Sequence, residues 1–339
     1  MIYQTVVAAS ILSAVASAQL YTSNVEFQKF MWEQFKQEYS KSYTTQETEA
    51  NAFAAFLDNL VVADERNSLE KQMNGTAVHG ITHFFDMTQA EFAAKYLTAD
   101  PGLRSGNIPV TEITEPPSAL LGLVDWTGKY TTPVKDQGQC GSCWAFSATE
   151  QIESDAMRKL GVKYTLSPQQ ITSCDTTSQG CNGGWTENAY NYVKKAGGIE
   201  QNSDYPYSSY SGTTGRCNVN AAKEVISVSG YSTVKGESSM ASYVQKTGPL
   251  SVCVDASSWS SYKGGIMNSC TKRVNHCVQA VGVDASTTGG GYWKVRNSWG
   301  TRWGESGFIR LSYGPNTCAI TNDPTSVTGA KKSTETCRD

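Results

Sequence analysis

All ten cysteines of the 339-residue chain lie between Cys140 and Cys337, and the sequence before Cys140 has none. Disulfides persist in oxidising compartments and sharply limit which folds a chain can reach. The chain therefore divides into an N-terminal segment held by packing alone and a C-terminal region that can be cross-linked. At their junction stands "QGQCGSCWAFS", Gln137 to Ser147, in which Cys140 and Cys143 form a C-x-x-C pair. Such a pair suits half a zinc site, a redox disulfide, or a structural cysteine beside a nucleophile.

The opening "MIYQTVVAASILSAVASAQL" is apolar, and Ala16-Ser17-Ala18 fits a signal-peptidase site before Gln19, although no Lys or Arg precedes the apolar run. The run from Val6 to Val15 is too short to span a bilayer, and no other segment reads as a membrane span. Residues 1–18 are thus expected to be a signal peptide, with no membrane attachment after its removal. A net charge of −3 leaves no electrostatic footprint for nucleic acid. The sequon Asn74-Gly75-Thr76 marks Asn74 for glycosylation.

Helical spacing of Phe27, Phe30, Met31, Phe35 and Tyr39 predicts a first helix, and Phe53, Phe56, Leu57, Leu60 and Val61 predict a second over 47–71. "AVHGITHFFDMT" (77–88) could be a strand, followed by a small helix at "QAEFAAKYL". The stretch 98–122 carries four prolines and no periodicity, and reads as an exposed linker and cleavage region. Beyond it, Trp144 to Leu160 predicts a helix with Ala145, Ala148, Ile152, Ala156 and Leu160 inward and Gly161 as its stop. From about residue 224 the pattern turns to β: "EVISVSGYSTV", "PLSVCVDA", "HCVQAVGVD", "GYWKVRNSW" and "GFIRLSY". A helical half followed by a strand half leaves a cleft between them for a site.

A structural zinc site needs four ligands, yet there is no second C-x-x-C and histidine is scarce. A thioredoxin-like pair follows a strand in a βαβ unit, which is missing here. Of three histidines, His79 and His83 fall in the N-terminal segment and His276 alone follows the linker. A lone histidine is ordinarily a hydrogen-bonded core residue; a cysteine at a helix N-terminus shifts that balance. Cys143 opens the predicted helix, where free N–H groups favour a thiolate. Lowering a thiol from about 8.5 to about 3.5 takes roughly 7 kcal/mol, of which a helix end supplies about 1 or 2. An imidazolium must supply much of the rest.

"PVKDQGQCGSCWAFSATEQIES", "LSPQQITSCDTTSQGCNGGWTENAYNYV", "VNHCVQAVGVD" and "VRNSWGTRWGESGFIRL" together resemble the papain-like cysteine proteases, nearest the cathepsin L-like branch. The resemblance implies an α+β, papain-like fold of two subdomains, a helical half and a β-barrel-like half, preceded by a mainly helical inhibitory propeptide. It implies a propeptide and linker over 19–118 and a peptidase domain over 119–339. That domain divides into a helical half to about 225, a β half to about 323 and a polar tail after it.

By the same resemblance Cys143 is the nucleophile, His276 its proton carrier, Asn297 the group that orients the imidazole, and Gln137 an oxyanion donor. Trp299 would shield the His–Asn hydrogen bond, and Gly183, Gly184 and Trp185 would form the wall along which substrate lies. Cys140–Cys181, Cys174–Cys217 and Cys270–Cys318 are the implied disulfides. In the N-terminal segment Phe56, Asn59 and Asn67 match the propeptide's E-R-F-N-I-N pattern, whereas Thr48, Ala52 and Ala63 depart from it. Gly80, Phe84 and Asp86 match its next motif, with Thr82 in place of Asn.

Matching the flanking motifs puts Cys253 and Cys277 on the pocket for the second residue before the cut, as two buried thiols or as a disulfide. Asp323 falls on that pocket's floor, either selecting Lys or Arg or capping the turn before Pro324. Cys337 is free, dimer-forming or trimmed away. The expected function is a secreted or lysosomal (digestive-vacuole) endopeptidase made as a zymogen, monomeric and cofactor-free, acting on proteins and peptides. The occluding devices of family members that trim chain ends are missing from this sequence. The rivals are a catalytically silent binding protein and, more distantly, a redox protein.

Overall fold

The computed structural model describes residues 24–104, 107–118, 122–286 and 290–333; the leader and Cys337 lie outside them. In the N-terminal segment α1 (Val25–Glu38) starts where Asn24 Oδ1 accepts the Phe27 N–H, and α2 (Gln46–Gln72) starts at a Thr45–Thr48 capping box. Trp32, Phe35 and Phe56 stack between the two helices with ring centroids 5.3 Å apart, and Ala52, Leu60 and Ala63 are buried with them. Phe30, counted above with the apolar face, is half exposed, and Trp32 is buried in its place. Thr48 thus caps a helix and Ala63 fills a core position.

The possible strand over 77–88 shortens to β1 (Val78–His79), because Thr82, Phe84 and Phe85 turn to different partners. A second capping box, Thr88 with Glu91, opens α3 (Gln89–Tyr96). After β2 (Leu123–Asp125) come α4 (Cys143–Leu160), α5 (Pro168–Cys174) and α6 (Thr186–Ala196), then β3 (Ile199–Glu200), β4 (Glu224–Ser227) and β5 (Gly230–Thr233). Helix α7 (Glu237–Lys246) leads into β6 (Leu250–Val254), β7 (Tyr262–Gly264), β8 (Ile266–Met267) and β9 (His276–Asp284). The last elements are β10 (Tyr292–Arg296), β11 (Phe308–Ser312), β12 (Thr325–Thr328) and β13 (Lys331–Lys332).

The main sheet runs β5-β12-β6-β9-β10-β11-β8, with β2 on the free end of β9. This corrects the polar-tail reading of 324–339: β12 lies between β5 and β6, and β13 pairs with β4. Thr325 and Ser326 are polar but fit a pleated, buried surface. The boundary near 225 also moves, since Ile226 of β4 and Val228 pack into the core of the helical half beside α4. The linker reading holds only in part. Residues 98–104 lie in the cleft, and Val110 bridges to Thr233 beside β5.

Helix α4 has its expected stripe, Ala145, Ala148, Ile152 and Ala156, in the helical core. Its other face is buried too, against β9 and β6. Polar groups there find partners across the seam: Gln279 Nε2 donates to Gln151 Oε1 and Ser154 Oγ, each at 3.0 Å, and Ser147 Oγ donates to Val278 O at 2.7 Å. Four disulfides pair Cys140–Cys181, Cys174–Cys217, Cys253–Cys277 and Cys270–Cys318, leaving Cys143 as the free cysteine among the described residues. Loops of 41 to 48 residues close three of them, worth about 4 kcal/mol each in a chain-entropy account. Alkylating the denatured, unreduced chain should therefore label Cys143 and leave the eight paired cysteines unlabelled in a mass map. Label on Cys253 and Cys277 would contradict their pairing.

Candidate active site

Cys143 is the first residue of α4, and the Ser142 side chain makes no capping bond, so the first helical N–H groups have no intrahelical acceptor. The thiol is buried, with the backbone N–H groups of Cys277, Trp144 and Thr98 directed toward it. His276 opens β9, and the backbone N–H of its neighbour Cys277 faces the thiol from the β half. The β9–β10 register places Arg296 opposite Gln279 and brings Asn297 beside His276. His276 Nε2 and Asn297 Oδ1 are 2.8 Å apart, and Ser298 N–H also donates to that Oδ1. The atom is therefore the amide's carbonyl oxygen, and Nε2 must carry its proton. Nδ1 is left as the lone-pair nitrogen, buried and without a partner.

The Trp299 ring lies over His276 at 4.7 Å between centroids, and Trp259 meets it edge-on at 6.1 Å. Gln137 is buried, its Nε2 donating to Cys140 O at 3.0 Å and its Oε1 accepting from Ser298 Oγ at 2.6 Å. An amide nitrogen has two donors, so one remains for another oxygen. Four of the residues marked by the sequence thus converge from three stretches of chain.

The N-terminal segment fills the cleft above them. Phe84, Phe92 and Tyr96 pack edge-on against Trp299 at 5.1, 5.4 and 6.0 Å. Beyond α3 the chain runs extended: Thr98 Oγ1 donates to Gly141 O, Ala99 N–H to Asn275 O at 3.0 Å, and Asp100 N–H to Gly184 O at 3.1 Å. A Cβ on Gly183, whose φ is +126°, would meet Thr98 O at 2.3 Å, so this position requires glycine for the close approach. Gly184 offers its carbonyl to the occupant, but its missing Cβ makes room for the Trp144 ring. Trp185 is buried behind that wall with the Cys253–Cys277 pair, Ala99 and Cys143. Asp323 lies buried beside them, 3.9 Å from Cys253 Sγ, and its Oδ1 is 2.9 Å from Nη2 of Arg104. The sequence reading missed Arg104 and a second carboxylate, Glu187. An acid in the first turn of α6 looks like an ordinary answer to the helix dipole.

Burial pushes the Cys143 thiol up and brings His276 down to about 4, so under this cover both are neutral. The segment's docking is polar as well as aromatic. Arg66 Nη1 donates to Ser260 and Ser261 Oγ at 2.8 Å, and the buried Glu70 carboxylate accepts the Asn268 and Ser269 N–H groups. Asn67, Asn59 and Asp86 tie the segment's turns together through His79, Phe85 and Lys41.

Comparison with known proteins gives this arrangement a class. The Papain family cysteine protease model matches residues 122–328, and the Cathepsin propeptide inhibitor domain matches 32–92. The chain belongs to the papain family of cysteine proteases. It is 39% identical over 305 residues to Digestive cysteine proteinase 1 of Homarus americanus, covering 86% of this chain and 92% of that one. Cathepsin L 2 of Paramecium tetraurelia is 37% identical over 305 residues, covering 87% and 90%. Digestive procathepsin L 3 of Tenebrio molitor larval midgut superposes with a TM-score of 0.78 at 32% identity, over 89% of this chain and 99% of that structure. The N-terminal segment is accordingly an inhibitory propeptide, and the chain is a protease zymogen. Among the described residues no helix is long and apolar enough to cross a membrane.

All three histidines are neutral in this form. Burial and then Arg66 bring His79 down to about 3, and burial, Lys41, Arg302 and Lys263 do the same to His83. An unfolded histidine titrates near 6.5, so between about 6.5 and 3 the unfolded chain binds protons that the folded proform refuses. Stability therefore falls as pH falls, by up to about 1.4 kcal/mol per pH unit for each histidine. The melting temperature of the proform should drop between pH of about 7 and 4.5, and His79→Gln with His83→Gln should shrink that drop. An equal drop in the double variant would contradict this.

Proposed function

We propose that this zymogen matures to a secreted or lysosomal (digestive-vacuole) endopeptidase that hydrolyses proteins and peptides at mildly acidic pH through Cys143 and His276. The observation that carries the reading is the His276 ring, held by Asn297 at Nε2 with Nδ1 bare, on the residue before Cys277, whose backbone N–H faces the Cys143 thiol at a helix N-terminus. Once the propeptide leaves, water and the helix end favour the ion pair that burial suppressed. The proton moves from Sγ to His276 Nδ1.

The thiolate then attacks the scissile carbonyl, and the developing oxyanion takes the Cys143 N–H and the spare Gln137 Nε2–H. His276 gives its proton to the departing amine, leaving an acyl-enzyme. A water loses its proton to His276 and attacks the thioester. Collapse of that adduct releases the acid and returns the pair to its starting state. Asn297 and Trp299 hold the ring in place through both transfers. Gly183, Gly184 and Trp185 form one wall for substrate, and the Cys253–Cys277 bridge with Asp323 forms the pocket for the second residue before the cut. A carboxylate there selects Lys or Arg.

A leader-like apolar stretch over 1–18, a glycosylation sequon at Asn74 in an exposed turn, and relatives named for digestion support export or delivery to a digestive compartment. The mature chain, from about residue 119, acts as a monomer without membrane or nucleic-acid partners. The test is to acidify the proform to a pH of about 5 with an epoxide probe for papain-like thiols, then to map the label by mass spectrometry. Label confined to Cys143, appearing as the segment before Leu120 is lost, is expected. Loss of the segment with Cys143 unlabelled would instead favour a catalytically silent binding protein. In the active enzyme Gln137→Ala should lower kcat by about 10²–10³ with KM little changed, as measured by steady-state kinetics.

A further inference from the structure

The carboxylate of Asp323 is not alone at the floor of its pocket. Glu187, in the first turn of α6, reaches the same point from the helical half, and neither side chain has any solvent exposure. Thr186 Oγ1 lies 3.1 Å from Glu187 Oε2 and 3.3 Å from Asp323 Oδ2, with one proton to give. Two buried carboxyls in contact cannot both ionise cheaply, so such a pair tends to share a proton, and a cation beside it offsets part of the cost of its charge. Here a cation stands beside it. Arg104, eight residues beyond Tyr96 and directly after the 3-10 turn Pro101–Leu103, places Nη2 2.9 Å from Asp323 Oδ1 and Nε 3.7 Å from Glu187 Oε1.

We propose that Glu187 is a second specificity-determining residue, which with Asp323 forms a two-carboxylate subsite for a substrate arginine, and that propeptide Arg104 is its built-in occupant. The inference rests on the protease reading above and adds a residue and a preference to it. A planar guanidinium presents a rigid fork of donors that faces two acids in one fixed geometry, whereas an ammonium is a compact, strongly hydrated point charge that costs more to bury. The subsite should therefore rank Arg above Lys, and Lys above Phe. It also explains how a propeptide with three departures from its family's helical pattern keeps a firm hold on the cleft. Its Arg104 binds where a substrate side chain would.

The pocket also carries a pH signature. Burial first and the Asp323 charge second push Glu187 up to about 8, and burial raises Asp323. The groups facing the pair are Arg104, Thr186 and the Tyr190 ring, with the Cys253 sulfur alongside. In the mature enzyme Arg104 is gone, and the pair sheds its shared proton as pH rises. Preference for Arg over Phe should therefore climb between a pH of about 5 and 8.

The experiment compares kcat/KM on Arg-Arg, Lys-Arg and Phe-Arg reporters for the activated wild type, Glu187→Gln and Asp323→Asn, with active thiol counted by the epoxide probe. Either substitution should lower the Arg:Phe ratio about tenfold and flatten its rise with pH. An Arg:Phe ratio unchanged in Glu187→Gln overturns the proposal while Phe-Arg cleavage keeps the protease reading. Loss of both thiol labelling and all cleavage in the wild type would instead sink that reading. Should the pocket variants fail to fold, the full-length Arg104→Ala and Arg104→Lys proforms decide. Propeptide loss at a pH of about 5 should be several-fold faster in Arg104→Ala and intermediate in Arg104→Lys. Equal rates in all three overturn the proposal.

Discussion

Helix α4 is the element on which everything else depends, because it is buried on both faces. One face closes the helical core through Ala145, Ala148, Ile152 and Ala156; the other meets β6 and β9 through hydrogen bonds. A purely apolar seam would leave two halves free to slide. The polar one, in which Arg296 Nη2 donates to Gln279 Oε1 at 2.7 Å and Arg296 Nε lies 3.3 Å from Glu150 Oε2, favours the one register that brings these groups together. That register decides where the start of α4 meets the start of β9. Cys143 and His276 are those two starts.

Inhibition follows from the same geometry. The propeptide leaves His276 bonded to Asn297 and Gln137 bonded to Ser298; the side chains of the site stay in place beneath it. It removes water instead. Phe84, Phe92 and Tyr96 cap Trp299, and the strand after them lies on the thiol, so the charged form of the pair loses its solvation. Burial outweighs the helix end while the cover is on. The cover is itself pH-sensitive, since His79 and His83 are held neutral within it.

Much of this was readable in the sequence, and the reasons for the rest are physical. Strands β6 and β9 show as apolar runs buried on both faces and α4 shows its apolar stripe, while helices α1 and α2 and strands β10 and β11 carry their burial as a side-chain period, which a sequence displays. Strand β12 does not, because Thr325 and Ser326 are polar residues buried by pairing on both edges. The cleft segment over 98–104 reads as linker because backbone bonds from Ala99 and Asp100 to Asn275 and Gly184 order it, and such bonds leave no pattern in its own residues. Cys143, His276, Asn297 and Gln137 sit in dense motifs and were legible by type and order. Glu187 and Arg104 were not, since each is unremarkable until the fold sets it against Asp323.

The central claim is that the propeptide silences Cys143 by keeping its pair with His276 neutral. The most direct measurement is the rate at which iodoacetamide alkylates Cys143 against pH, in the intact proform and after propeptide removal. Alkylation should be slow in the proform, climbing only above a pH of about 8, and fast and nearly flat from about 5 to 8 afterwards. The same fast, flat profile in the intact proform would show that the ion pair exists under the cover, and that the propeptide does not act by keeping it neutral.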